Sequence, residues 1–177
     1  MELRERKSTR YERADYSCEG AYFITVCTNE RKMILSQINS VGDGVLDVPC
    51  VELTDYGKTV KAQIEKINST YTDICIDKYV IMPDHVHMII IVYDIGGTSG
   101  RPSPTGLINR ANERIPKAIS TFKRFINKKI GKNIWQRSYY DHMIRCKEDY
   151  EGVCKYIYDN PIKWYYGEDE EEYTFEY

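Results

Sequence analysis

The chain has 177 residues, 42% hydrophobic and 29% charged, a size that predicts one domain over 1–177 with a full core and excludes two complete ones. No apolar run approaches the roughly 18 residues of a membrane span, and residues 1–13 are charged rather than signal-like, so a cytoplasmic protein without a membrane partner is expected. The 25 basic and 27 acidic residues leave a formal charge of −2, which as an average argues against an acidic polymer as ligand. Position overturns that average. From Arg101 to Arg137 ten basic residues stand against the single acid Glu113, whereas the last ten residues hold six acids and no base. Such blocks predict a basic surface for a polyanion and an acidic tail over 165–177 that is solvated or competes for that surface.

After the charged arm, Ala21 to Thr28 is rich in aromatic and β-branched residues and Asn29 to Lys32 breaks it, which predicts a strand and a turn. Ser40 to Pro49, with Gly42 and Gly44, reads as a loop. Thr54 is an N-cap, and Tyr56, Val60, Ile64 and Ile67 repeat at helical spacing, so a helix is expected over 54–68. Ile74 to Met82 reads as a strand, Pro83 and Asp84 as a tight break, and His85 to Tyr93 as a second strand. The second is apolar on both faces and therefore central. Residues 94–114, punctuated by glycine and proline, form a long loop.

Next, Ile115, Ile119, Phe122, Ile126 and Ile130 make one apolar helical stripe that ends at Gly131. Ser138 to Arg145 reads as a strand, and 148–160 as a helix stopped by Pro161, because the residue before proline disfavours helical backbone. The order predicts a ferredoxin-like α+β sandwich: an antiparallel sheet, helices on one face and an extra C-terminal helix. The six cysteines form no C-x-x-C pair and read as free buried thiols.

Two of the three histidines stand in His85-Val86-His87. On a strand they share a face, where they form either a metal-binding pair or two hydrogen-bonded histidines at a sheet end. On the last helix Asp149, Gly152, Tyr156 and Asn160 fall on one flank of an apolar face made by Tyr150, Val153, Cys154, Ile157 and Pro161. Tyr156 and Asn160 are neighbours at i and i+4, and Gly152 leaves room beside the phenol. Tyr156 is then either a nucleophile for a phosphodiester or one packing tyrosine among 16.

Three runs carry a family resemblance: Met82-Pro83-Asp84-His85-Val86-His87-Met88-Ile89, Trp135 to Arg145 (WQRSYYDHMIR), and Tyr156 to Trp164 (YIYDNPIKW). In this order and spacing they resemble the single-tyrosine HUH transposases, most closely the REP-associated tyrosine transposases. The similarity covers about residues 20–165. The resemblance implies a strand transferase for single-stranded or hairpin DNA in which Tyr156 is the nucleophile and forms a 5′-phosphotyrosine link. It also implies that His85, His87 and Asn160 bind a divalent metal, Mg²⁺ or Mn²⁺, and that the chain acts as a monomer or a homodimer. The base that deprotonates Tyr156 is left open between metal, bound water, Asp149 and Lys155. His142 is either a structural histidine or a direct contact to DNA or metal.

The basic region fits such a partner: Lys117, Lys123, Arg124, Lys128, Lys129 and Arg137 could track a phosphate backbone, with Tyr139 and Tyr140 stacking on bases. A solvated helix face is the alternative. At the level of function the alternative is a sequence-specific DNA-binding protein on the same scaffold that no longer moves DNA. An RNA-binding module is disfavoured, because Ala21 to Thr28 lacks the glycine and basic framing of RNA-reading strands.

Overall fold

The computed structural model describes residues 19–41, 48–93 and 114–167. The arm with Cys18, the loop with Arg101 and Arg110, and the acidic tail from Glu168 lie outside the described residues. In chain order the elements are β1 (Gly20–Cys27), a 3-10 turn (Asn29–Arg31), β2 (Ser36–Val41), β3 (Val48–Leu53), α1 (Asp55–Thr70), β4 (Ile74–Ile81), β5 (His85–Val92), α2 (Arg114–Ile130), β6 (Tyr140–Ile144) and α3 (Lys147–Tyr166). The main sheet has the order β4-β5-β1-β6, every neighbouring pair antiparallel. With α1 leading into β4 and α2 leading into β6, this is the expected α+β sandwich.

Alternation along β1 divides the molecule. Tyr22, Ile24 and Val26 point to one face, where they meet Val86, Met88 and Ile90 of β5, Val60, Ile64 and Ile67 of α1, and Ile115, Ile119, Phe122 and Ile126 of α2 in the main core. Phe23 points to the other face and joins Ile89, Ile144 and the α3 residues Val153 and Ile157 in a smaller cluster. Two helices therefore cover one face and α3 the other. That is why β5, buried on both sides, reads as a continuous apolar run.

Local chemistry sets the helix ends. The Gly57 N–H donates to Thr54 Oγ1 at 3.2 Å, the cap that opens α1. Position 57 must be glycine, since a Cβ there would stand 2.1 Å from the Leu35 carbonyl oxygen. Gly131, at φ +84°, ends α2.

Two expectations are corrected. Helix α3 does not stop at Pro161 but continues to Tyr166. An interior proline costs about 3 kcal/mol, and packing of the helix before and after it offsets this. Val153 and Ile157 are buried before it, at roughly 2 kcal/mol each. Trp164 packs against His85 after it, and Gly167 closes the end with a left-handed cap. Of the segment read as a loop over 40–49, the described ends are strand: residues 40–41 close β2 and 48–49 open β3 of a second, two-stranded sheet, in which Ser40 lies opposite Pro49, and 42–47 lie outside the described residues. Pro49 is tolerated because a two-stranded ribbon is all edge. This ribbon lies against α3. Among the described residues, no helix is long and apolar enough to cross a membrane, and the cysteines are thiols outside any disulfide but not buried as expected: Cys27, Cys50, Cys75 and Cys154 are half-buried and Cys146 is exposed.

Candidate active site

His85 and His87 sit on the α3 side of β5 with their Nε2 atoms 2.9 Å apart. Each ring is held from behind through Nδ1. For His85 the partner is Asp84 Oδ1 at 2.6 Å, and the other oxygen of that carboxylate lies 2.8 Å from Arg31 Nε. For His87 the partner is Thr25 Oγ1 at 2.8 Å, brought there because Thr25 pairs with His87 in the β1–β5 register. A carboxylate only accepts, so His85 carries its proton on Nδ1 and presents the Nε2 lone pair. With that lone pair 2.9 Å from His87 Nε2, His87 donates from Nε2 in the metal-free protein and its Nδ1 accepts from Thr25 Oγ1; because a hydroxyl can also accept, Thr25 suits the other tautomer of His87 as well. Imidazoles tied through one nitrogen with the other converging on a shared point are arranged as metal-ligating histidines are. Burial, then the proximity of His85 and of the Arg31 charge, pushes His87 well below the usual histidine pKa, which keeps its ring neutral.

Helix α3 covers this pair. The Tyr156 ring meets His87 edge-on at 5.2 Å between centroids and Phe23 at 5.9 Å, while Phe23 stacks on His87 at 5.2 Å. Trp164 lies 6.2 Å from His85. Tyr156, Asn160 and Trp164 are spaced i, i+4, i+8 and form one row that crosses both histidines. Asn160, in the middle, is buried, and its Oδ1 has no hydrogen-bond partner among the described residues. Among the described residues no group of three His, Cys, Asp or Glu side chains could hold a metal ion; the further donor that this row offers is the Asn160 amide oxygen. Two neutral nitrogens and one oxygen fit a divalent ion that keeps open positions for phosphate oxygens.

The remaining expected site residues fall elsewhere. His142 Nε2 lies 3.1 Å from Asp149 Oδ2, which also accepts from the Arg145 N–H at 3.2 Å. The pair fastens the first turn of α3 to β6, and Asp149 is engaged there, two helical turns from Tyr156. Tyr150, also on α3, donates a short hydrogen bond to Asp77 of β4, which raises its pKa. Lys123 Nζ donates to the carbonyls of Gln136 at 2.9 Å and Ser138 at 2.8 Å, a tie that shapes the approach to β6. Tyr139 is buried in the main core rather than presented for stacking. Lys123 Nζ stands over its ring, 5.9 Å from the centroid. Tyr140, Lys117, Arg124, Lys128, Lys129 and Arg137 are exposed, with the α2 residues on the helix layer opposite the histidines. Sequence reasoning missed Thr25, Arg31, Asp84 and Trp164. Asp84 carries a signal, its place directly before His85; Thr25 depends on cross-strand register, Arg31 on the left-handed backbone of the turn after β1 and Trp164 on α3 running through Pro161.

No family model matches the chain. A Haemophilus influenzae protein described only as uncharacterized is 31% identical over 172 residues, covering 92% of this chain and 91% of its own length. A second protein of that organism, named as a REP-associated tyrosine transposase, is 26% identical over 163 residues, 88% of this chain and 78% of its own. The solved structure of a REP-associated tyrosine transposase bound to a REP hairpin shares the fold, with TM-score 0.58 at 23% identity over 88% of this chain and 73% of that one. Near-full-length similarity, a shared fold and the ordered histidine and tyrosine motifs agree, and in sequence and fold the chain is similar to the REP-associated tyrosine transposases.

Proposed function

We propose that the protein cleaves and rejoins single-stranded DNA through a 5′-phosphotyrosine link on Tyr156, beside a divalent ion held by His85, His87 and Asn160. The observation that carries this reading is the edge contact of Tyr156 with His87, 5.2 Å between centroids, where two Nε2 atoms converge. A nucleophile and a pair of neutral nitrogen donors meet on one sheet face. When bound, Mg²⁺ or Mn²⁺ would neutralise phosphate charge and orient the bond for in-line displacement. The phenol, with an ordinary pKa of about 10, gives up its proton and its oxygen attacks phosphorus. The bond from phosphorus to the 3′ oxygen breaks, that oxygen takes a proton to become a free 3′-hydroxyl, and the 5′ phosphate stays esterified to Tyr156. Attack by a 3′-hydroxyl reverses both changes, so rejoining needs no nucleotide triphosphate.

The related transposase is bound to a REP hairpin, which supports hairpin or single-stranded DNA as the ligand here. Exposed Lys117, Arg124, Lys128 and Arg137 supply backbone contacts and Tyr140 a stacking surface. The test is incubation with single-stranded DNA carrying repeat hairpins and Mn²⁺, followed by a search for a denaturant-stable protein–DNA adduct. Tyr156→Phe should abolish the adduct, and Tyr158→Phe, at a side chain 77% exposed, should retain it. The opposite pattern moves the nucleophile. The absence of an adduct with every substrate and metal tried would leave the protein as a DNA-binding relative without strand transfer.

A further inference from the structure

The 3-10 turn after β1 holds two consecutive non-glycine residues in the left-handed region, Glu30 at φ 57° and Arg31 at φ 53°, where side chains are rarely found. None of the turn's residues is buried, so core packing does not demand this backbone. What the turn achieves is reach. Arg31 Nε lies 2.8 Å from Asp84 Oδ2, and Nη1 donates to Cys27 Sγ at 3.1 Å. The main chain fastens the same two segments: the Thr28 N–H donates to the Asp84 carbonyl at 2.8 Å, and Thr28 Oγ1 stands 2.9 Å from the Asp84 and Lys32 carbonyls. Turn and break form one unit, with the Asp84 side chain 5% exposed inside it. One carboxylate oxygen faces Arg31 and the other faces His85 Nδ1.

We infer that Arg31 is a positioning residue for the histidine pair: its guanidinium fixes the Asp84 carboxylate, which holds His85 as the Nδ1–H tautomer with Nε2 turned toward His87. The inference rests on the metal reading above, because the consequence of this chain is one lone pair kept permanently aimed at the ion site. Ion-paired on its far oxygen, Asp84 cannot rotate away from the imidazole without abandoning a charge partner in a buried place. The hydroxyl behind His87 imposes no such choice of tautomer. The two ligands are therefore unequal, His85 preset and His87 adaptable.

The test uses the full chain without DNA and compares wild type with Arg31→Ala and Arg31→Lys. Circular dichroism and thermal unfolding report the fold, ¹⁵N NMR of the imidazoles in metal-free protein reports the His85 tautomer, and calorimetry reports Mn²⁺ affinity. Arg31→Ala should keep the fold, give His85 a mixture of tautomers and weaken Mn²⁺ binding about 10- to 100-fold, with Arg31→Lys intermediate. A His85 that remains Nδ1–H, together with unchanged Mn²⁺ affinity in Arg31→Ala, overturns the inference. If wild type binds no Mn²⁺, the metal reading fails while the tautomer comparison still decides the role of Arg31. If Arg31→Ala does not fold, Arg31→Lys decides in its place.

Discussion

Asn160→Leu separates what Asn160 contributes to stability from what it contributes to function. Asn160 is 2% exposed and its Oδ1 is buried without a partner among the described residues. A buried oxygen that has lost water and gained nothing costs about 1–3 kcal/mol, a penalty the metal-free protein carries in order to keep that atom in the row between Tyr156 and Trp164. Leucine preserves the branching at Cγ and removes the penalty. Its larger volume returns about 1 kcal/mol as overpacking, so the net expectation is a metal-free protein more stable by about 1 kcal/mol. The same substitution removes a ligand of the proposed ion. Wild type at a hundredfold excess of Mn²⁺ over its dissociation constant should gain about 2.7 kcal/mol, and the variant should gain much less. Urea unfolding followed by circular dichroism, in EDTA and in Mn²⁺, reads both effects, and the order of stability should reverse between the two conditions. A variant less stable than wild type in EDTA would refute the reasoning, because the oxygen would then be satisfied in the metal-free fold.

Two further outcomes follow from the geometry. Burial lowers the His142 pKa from its ordinary value, with the hydrogen bond it donates to Asp149 opposing the shift, and His87 is lowered further. The unfolded chain thus binds these protons more tightly, so this stability is complete above about pH 6.5 and is lost as the pH falls below it. Urea midpoints between pH 7.5 and 5 should fall with pH, and His142→Gln should flatten the fall; a midpoint that rises on acidification contradicts the assignment. For DNA, each phosphate contact adds about 0.7–0.9 to the slope of log affinity against log salt. The double substitution of exposed Arg124 and Lys128 by alanine should lower that slope by about 1.5 in a hairpin-binding titration, and an unchanged slope removes α2 from the interface.

The parts of the site legible beforehand are those that depend on one element's own period. Alternation of two puts His85 and His87 on one face wherever the strand lies, and 3.6 residues per turn puts Asn160 beside Tyr156 whatever the helix packs on. Asp84, Thr25 and Arg31 could not be read in the same way. Thr25 meets His87 through the pairing of strands 62 positions apart, and Arg31 reaches Asp84 only because its backbone takes a conformation no sequence rule assigns to arginine. Pro161 misled because the local rule is correct and the packing of Trp164 and the Gly167 cap outweigh it. Tyr139 and Tyr140 are adjacent tyrosines with opposite fates, one in the core and one exposed, and only the position at which β6 begins distinguishes them. The β2–β3 ribbon escaped notice because glycine and proline at 42–49 carry stronger turn signals than six-residue strands carry strand signals.

The pairing of β5 with β1 ties catalysis to foldedness in a way that bears on how this protein can change. His85 and His87 face α3 through the same alternation that turns Val86, Met88 and Ile90 into the main core. Inserting one residue early in β5 would exchange the two sets, setting imidazoles among the isoleucines and aliphatic side chains against Tyr156. No variant with a shifted frame keeps a half-working centre on a sound scaffold.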